Sequence, residues 1–161
     1  MDRILGIMKI QITAPSLTID LPDGWLVEES VDSWAVAVPA EYNNELAATF
    51  LPNVAFLVMR LESDVSIEML AEGTLDELTR VYSDVLVRDV LFGEGIMDRS
   101  LSFVAEGMTM FQYQRNLLLS SFSDDVHWFA QIHATGPIEQ EEELKGAFRH
   151  ILAKSSIAPP D

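Results

Sequence analysis

The chain has 161 residues, 48% of them hydrophobic and 22% charged, the balance of an ordinary globular protein, and at this length it reads as a single domain over 1–161. It contains no cysteine, which excludes disulfides, zinc–thiolate sites and iron–sulfur clusters. Its 26 acidic and 10 basic residues give a formal charge of −16, so phosphate-rich partners (nucleic acid, anionic membrane) are not expected; the charge either simply keeps the protein soluble or draws in a basic protein partner.

In chain order, the first signal is a loose apolar alternation at Ile7, Ile10 and Ile12. It predicts an extra N-terminal strand within 1–15, ended by Pro15 because proline cannot donate to a ladder. The apolar stretch before Lys9 is about five residues, short of the ~7–15 of a secretory segment. No run approaches the ~20 apolar residues of a membrane span. A cytoplasmic address is expected.

Leu17, Ile19 and Leu21 alternate cleanly and predict a strand, closed by the turn Pro22-Asp23-Gly24 with Trp25 folding back over the core edge. Ser33–Val38 predicts a further strand before Pro39. A connection or short helical turn follows over 40–49. Asn53–Leu61 is a nearly continuous apolar run, as expected of a central strand.

Ser66–Tyr82 is the clearest helix. Ile67, Leu70, Ala71, Thr74, Leu75, Leu78 and Val81 recur at helical spacing behind an N-capping Ser66. Strand patterns then dominate: Val85–Val90, a glycine-turn segment over 92–98, Leu101–Ala105, a tight Glu106-Gly107 turn, and Met108–Ser120. After a polar loop at 121–125 comes Val126–Thr135, with Gly136-Pro137 expected to break it. A last helix over about 139–153 buries Leu144, Ala147, Phe148 and Ile151. It carries Glu139 and Glu141–Glu143 early and Arg149, His150 and Lys154 late, complementing the helix dipole. Residues 155–161 are expected to fray.

Strands joined by short turns pair antiparallel, so the fold class is α+β: an α/β/α sandwich with a central, mainly antiparallel sheet of about six to seven strands and two main helices, at about 66–82 and 139–153.

No constellation of catalytic residues emerges, and no cofactor or metal is expected. There is no Gly-x-Ser-x-Gly, no His-Glu-x-x-His and no phosphate loop. His127 and His133 fall six residues apart on one predicted strand, about 20 Å, too far to share a metal. The Glu141–Glu143 run reads as a solvated helix start, and Asp124-Asp125 as turn chemistry. Met59, Met69, Met108 and Met110 could line a pocket between sheet and helix, or simply fill core. The residues singled out for partner binding are Trp25 and Phe122, as exposed aromatic anchors, with Asp124 and Asp125 at the hairpin tip.

Two phrases carry a resemblance. Pro22-Asp23-Gly24-Trp25 after an apolar strand, and Phe50-Leu51-Pro52-Asn53-Val54-Ala55-Phe56 leading toward a helix, together resemble the PsbP-like superfamily. That superfamily takes in the photosystem II extrinsic subunit P, a Ran-binding import factor and LpqN-type bacterial proteins. The likeness spans about 16–153, including Thr135-Gly136 at the end of the last strand and Phe148 and Ile151 in the closing helix. It implies an α/β/α sandwich and a non-catalytic role in protein binding or assembly. It supplies no catalytic set. The chain departs from the exported, lipid-anchored LpqN type in having no cysteine.

Three functions are therefore set against one another. The leading one is a non-catalytic intracellular interaction module, monomer or homodimer. The others are an acidic dimer of the secretion-chaperone kind, and a small-ligand binder or enzyme with a pocket between sheet and helix.

Overall fold

The structure, a computed structural model, describes residues 15–28, 33–40, 50–61, 65–120 and 127–158. The expected N-terminal strand within 1–15, the 41–49 connection and the 121–126 loop lie outside the described residues, Pro15 excepted.

Seven strands form one antiparallel sheet. They are β2 (Trp25–Glu28), β3 (Ala35–Pro39), β4 (Asn53–Leu61), β5 (Ser83–Gly93), β6 (Ile96–Ala105), β7 (Met108–Ser120) and β8 (His127–Pro137). Their spatial order is β2-β3-β4-β8-β7-β6-β5. A second, two-stranded sheet joins β1 (Ser16–Thr18) to β9 (Ser156–Ala158). Helix α1 (Ile67–Val81) packs on one face of the large sheet and α2 (Glu141–Lys154), entered through a 3-10 turn at Ile138–Gln140, on the other. This is the expected α+β fold.

Alternation along the strands decides which layer each residue joins. Val54, Phe56, Phe111, Ile132 and Ala134 meet Phe148, Ile151 and Leu152 of α2 in the main core. Met97 and Phe129 point the opposite way, onto Ile67 and Ala71 of α1. Leu101, Phe103 and Met110 continue that face toward Leu78 and Tyr82. Ser66 caps α1 as expected, its Oγ accepting from the Met69 N–H at 3.2 Å. Val81, counted in the apolar stripe, is exposed, because α1 ends over the sheet edge.

Between these apolar patches the α1 face carries a polar layer. Arg99 is 6% exposed. Its Nε donates to Gln114 Oε1 (2.8 Å), Nη1 to the Ala71 carbonyl (3.0 Å) and Nη2 to Thr74 Oγ1 (3.1 Å). Gln114 donates on to Gln112, and Gln112 to Thr135. Asn116 accepts from Gln131. Such bonds are directional where apolar contacts are not, so they fix α1 in one register on the sheet.

Four expectations are corrected. β5 runs on to Gly93 and β6 begins at Ile96, so the 92–98 segment is mostly strand about a tight Glu94-Gly95 turn. β8 continues through Gly136-Pro137, because Pro137 stands at its last position and Gly136 admits close packing. A Cβ there would lie 2.8 Å from Leu144 Cδ1 and 3.0 Å from the Phe111 ring. Of the expected Leu17–Leu21 strand only Leu17 and Thr18 are strand, within Ser16–Thr18. Finally, 156–158 does not fray: β9 pairs with β1, and Ile157 is buried beside Trp128 and Val58.

The candidate docking edge and its adjoining cleft

The two edges of the large sheet differ. β2 is four residues long, whereas β5 has eleven. β5 pairs only with β6, so every second N–H and C=O along it points outward. Its side chains are apolar on both faces. Leu86 and Leu91 oppose Ser102 and Asp98, on the α2 side; Val90 and Phe92 oppose Arg99 and Met97, on the α1 side. Leu86, Leu91 and Phe92 are 61%, 68% and 47% exposed. The edge is not blunted by proline or lysine. It carries instead Asp84, Arg88 and Asp89, and irregular register between Ser83 and Leu86 and between Val87 and Asp89.

The second irregularity aims Arg88 into a cleft, as bulges beside sites commonly do. Arg88 Nη1 reaches both Glu141 carboxylate oxygens, at 2.9 and 2.8 Å. Glu141 stands in the first turn of α2 and also accepts from the Tyr113 hydroxyl at 2.7 Å. Arg115 closes a bidentate pair on Asp98, 2.8 Å on each arm, and donates from Nη1 to the Leu152 carbonyl. The cleft between α2 and strands β5–β7 has a volume of about 390 Å³ and opens to solvent. Its remaining walls include Leu91, Lys145, Arg149 and Ala153. The Arg149 guanidinium lies 6.0 Å from the Tyr113 ring centre, within cation–π range.

The electrostatics of this cleft are static. Burial, then the hydrogen bond to Glu141, pushes the Tyr113 phenol up to about 12. Glu141 is held below its ordinary value: burial alone would raise it, but the bonds from Arg88 and Tyr113 outweigh that. The Asp98 contact raises Arg115 further. Each group keeps one protonation state across neutral pH. On the opposite face, burial and then the Arg99 charge lower His133 to about 4, and its Nε2 has no hydrogen-bond partner. His133 borders a smaller recess of about 240 Å³ with Gln131, Thr74 and Tyr82.

The sequence-predicted site residues do not assemble here. Trp25 is half-buried and meets Phe148 edge-on at 5.9 Å, which makes it a core lid. Phe122, Asp124 and Asp125 lie outside the described residues. The four methionines do not line the cleft: Met110 is in the core, Met59 and Met69 are exposed, and Met108 packs beside Phe103. Trp34, just ahead of β3, is exposed. Among the described residues no group of three histidines, aspartates or glutamates is placed to hold a metal ion, and no helix is long and apolar enough to cross a membrane.

Some of what was missed had a signal. The Glu106-Gly107 turn has positive φ at both residues (51° and 77°), the type I′ geometry that closes a two-residue hairpin. It fixes Ala105 opposite Met108, and counting outward puts Asp98 opposite Arg115. Arg88–Glu141 had none, since it depends on a bulge and a helix 53 residues away. Nor did His150–Asp20, 2.6 Å apart across 130 residues.

No protein-family model matches the chain, and no curated protein matches it in sequence. Solved structures do. One is LpqN, involved in cell envelope biogenesis of Mycobacterium tuberculosis, with a TM-score of 0.70 and 15% identity over 92% of this chain and 87% of that one. Another is cyanobacterial PsbP (CyanoP) from Synechocystis sp. PCC 6803, with a TM-score of 0.53 and 9% identity over 95% and 98%. At such identities the likeness is one of architecture, and it agrees with the sheet and paired helices described above: the chain has a PsbP-like fold.

Proposed function

We propose that the protein is a non-catalytic docking module that receives an extended segment of a partner protein along β5. The observation that carries this reading is the eleven-residue edge with Leu86, Leu91 and Phe92 largely in solvent. Main-chain bonds to an added strand would supply affinity, and the alternating apolar side chains would supply specificity. The bulge and the charges at Asp84, Arg88 and Asp89 would restrict which strands can pair. A charge of −16 favours a basic partner, whose approach it would steer.

A binding role is supported further by the cleft beside the edge. General acid–base work wants a group poised near the working pH, whereas Tyr113 is pushed up and Glu141 down. A cytoplasmic location belongs to the same proposal and is tested by fractionating native cells; recovery in the envelope fraction would replace it.

The experiment is paired capture from native extract with the wild-type chain and with Leu86→Asp/Leu91→Asp. Both positions are exposed, so the variant should fold, which its circular dichroism checks. A partner retained by the wild type and lost by the variant, with binding weakened by salt, supports the proposal. Equal capture by both refutes docking at β5. A wild-type dimer that the variant converts to monomer would show a second copy on that edge, as the secretion-chaperone alternative requires.

A further inference from the structure

We propose that the cleft between α2 and β5–β7 binds a small organic carboxylate with an apolar body. This goes beyond docking at β5. The two share Arg88, Asp89 and Leu91, but Lys145 and Arg149 of α2 belong to the cleft alone, so variants there test it separately from the edge.

Five of the chain's ten basic residues line this one cleft of a protein whose formal charge is −16; Arg99 turns its guanidinium away to Ala71 and Thr74 of α1, which leaves Arg88, Arg115, Lys145 and Arg149 to serve the cleft. Facing them are Asp89, Asp98, Glu141 and Glu142. Two pairs are closed at hydrogen-bond distance, Arg88–Glu141 and Arg115–Asp98. The rest are not. Lys145 is 3.9 Å from Glu142, beyond a hydrogen bond, and the Glu142 side chain is 90% exposed. Arg149 makes no ion pair among the described residues; its recorded contact is the face of Tyr113. Arg88 engages Glu141 through Nη1, and among the described residues its Nε and Nη2 have no hydrogen-bond partner.

The cleft is therefore rich in unused donors, while the Glu141 carboxylate already accepts from two groups. Donors in a planar fork match a carboxylate. With the Glu142 side chain turned to solvent, three carboxylates face four cations, which disfavours a dianion and leaves room for one negative charge. Leu91, Leu152, Ala153 and the Tyr113 ring offer apolar wall. A volume of about 390 Å³ falls at the small end of the ~300–1,000 Å³ of ligand sites.

The probe is 4-fluorobenzoate, followed by fluorine NMR with the full chain, and its neutral isostere 4-fluorobenzamide is the control. Saturable binding of the benzoate at millimolar concentration is expected, with much weaker binding of the benzamide. Arg149→Gln should weaken the benzoate by roughly tenfold, as loss of a charge-assisted contact does. Lys145→Gln should weaken it less, and Arg60→Gln on β4 should leave it unchanged. Arg149 and Arg60 are exposed and Lys145 is half-buried, so these variants should fold, and circular dichroism confirms it. Equal binding of the two probes, no saturation, or an unchanged affinity in folded Arg149→Gln would each overturn the proposal.

Discussion

Acidification should destabilise this protein through a single imidazole. His133 titrates near 6.5 when unfolded and at about 4 when folded, because burial first, and the Arg99 charge second, penalise its protonated form. A depressed folded value means the neutral ring is the one the fold accepts. Its contribution is complete above pH 6.5 and is lost as pH falls from there through 4. A separation of about 2.5 units at ~1.36 kcal/mol per unit caps the effect at roughly 3.4 kcal/mol. About 2 kcal/mol should be gone at pH 5 and about 3 at pH 4. Carboxylates also titrate toward the low end of this window, and relief of the −16 self-repulsion acts with the opposite sign, so raw curves will not isolate the ring. His133→Gln removes the titration while keeping a polar side chain. Urea unfolding of both proteins at pH 7.5, 6, 5 and 4 gives the difference directly. The wild type should lose about 2 kcal/mol more than the variant between pH 7.5 and 5. Curves parallel to within ~0.5 kcal/mol, the additivity error of such comparisons, would refute the assignment of a half-buried His133 held neutral by the fold.

Three further outcomes follow from particular contacts. Gly73 sits inside α1, and a Cβ there meets nothing within 4 Å; Gly73→Ala should stabilise by up to about 1 kcal/mol, read as a higher thermal midpoint. Gly136→Ala should do the reverse, by about 1–3 kcal/mol, since the added carbon would crowd Leu144 and Phe111. Tyr113 should ionise near pH 12 in an ultraviolet titration. Its raised value means its stabilisation holds below pH 10 and fades as pH rises through 12; Arg88→Gln, by freeing Glu141, should shift that ionisation.

How much the sequence revealed depended on the range of the interaction. Asn53–Leu61 and Met108–Ser120 coincide with β4 and β7, because period-2 patterning and a two-residue turn are local. The Ser66 cap and the buried Phe148 and Ile151 were legible for the same reason. β9 was not: three residues before a Pro-Pro end look like a tail until Leu17 and Trp128 cover Ile157. Gly136-Pro137 misled because its glycine answers to Leu144 and Phe111 rather than to a turn. In the cleft, Asp98–Arg115 could be counted from the hairpin, whereas Arg88–Glu141 required both the bulge in β5 and the placement of α2. The exposed edge was the least visible. Val85–Val90 read as an ordinary strand, and nothing local tells an edge strand from a central one.

The docking claim meets its most direct test in amide hydrogen exchange of the protein with and without its captured partner. Outward-facing amides between Val85 and Phe92 should exchange quickly in the free chain and become protected in the complex, while those bonded to β6 change little. Protection confined to other surfaces, with β5 exchanging as in the free protein, would contradict the account.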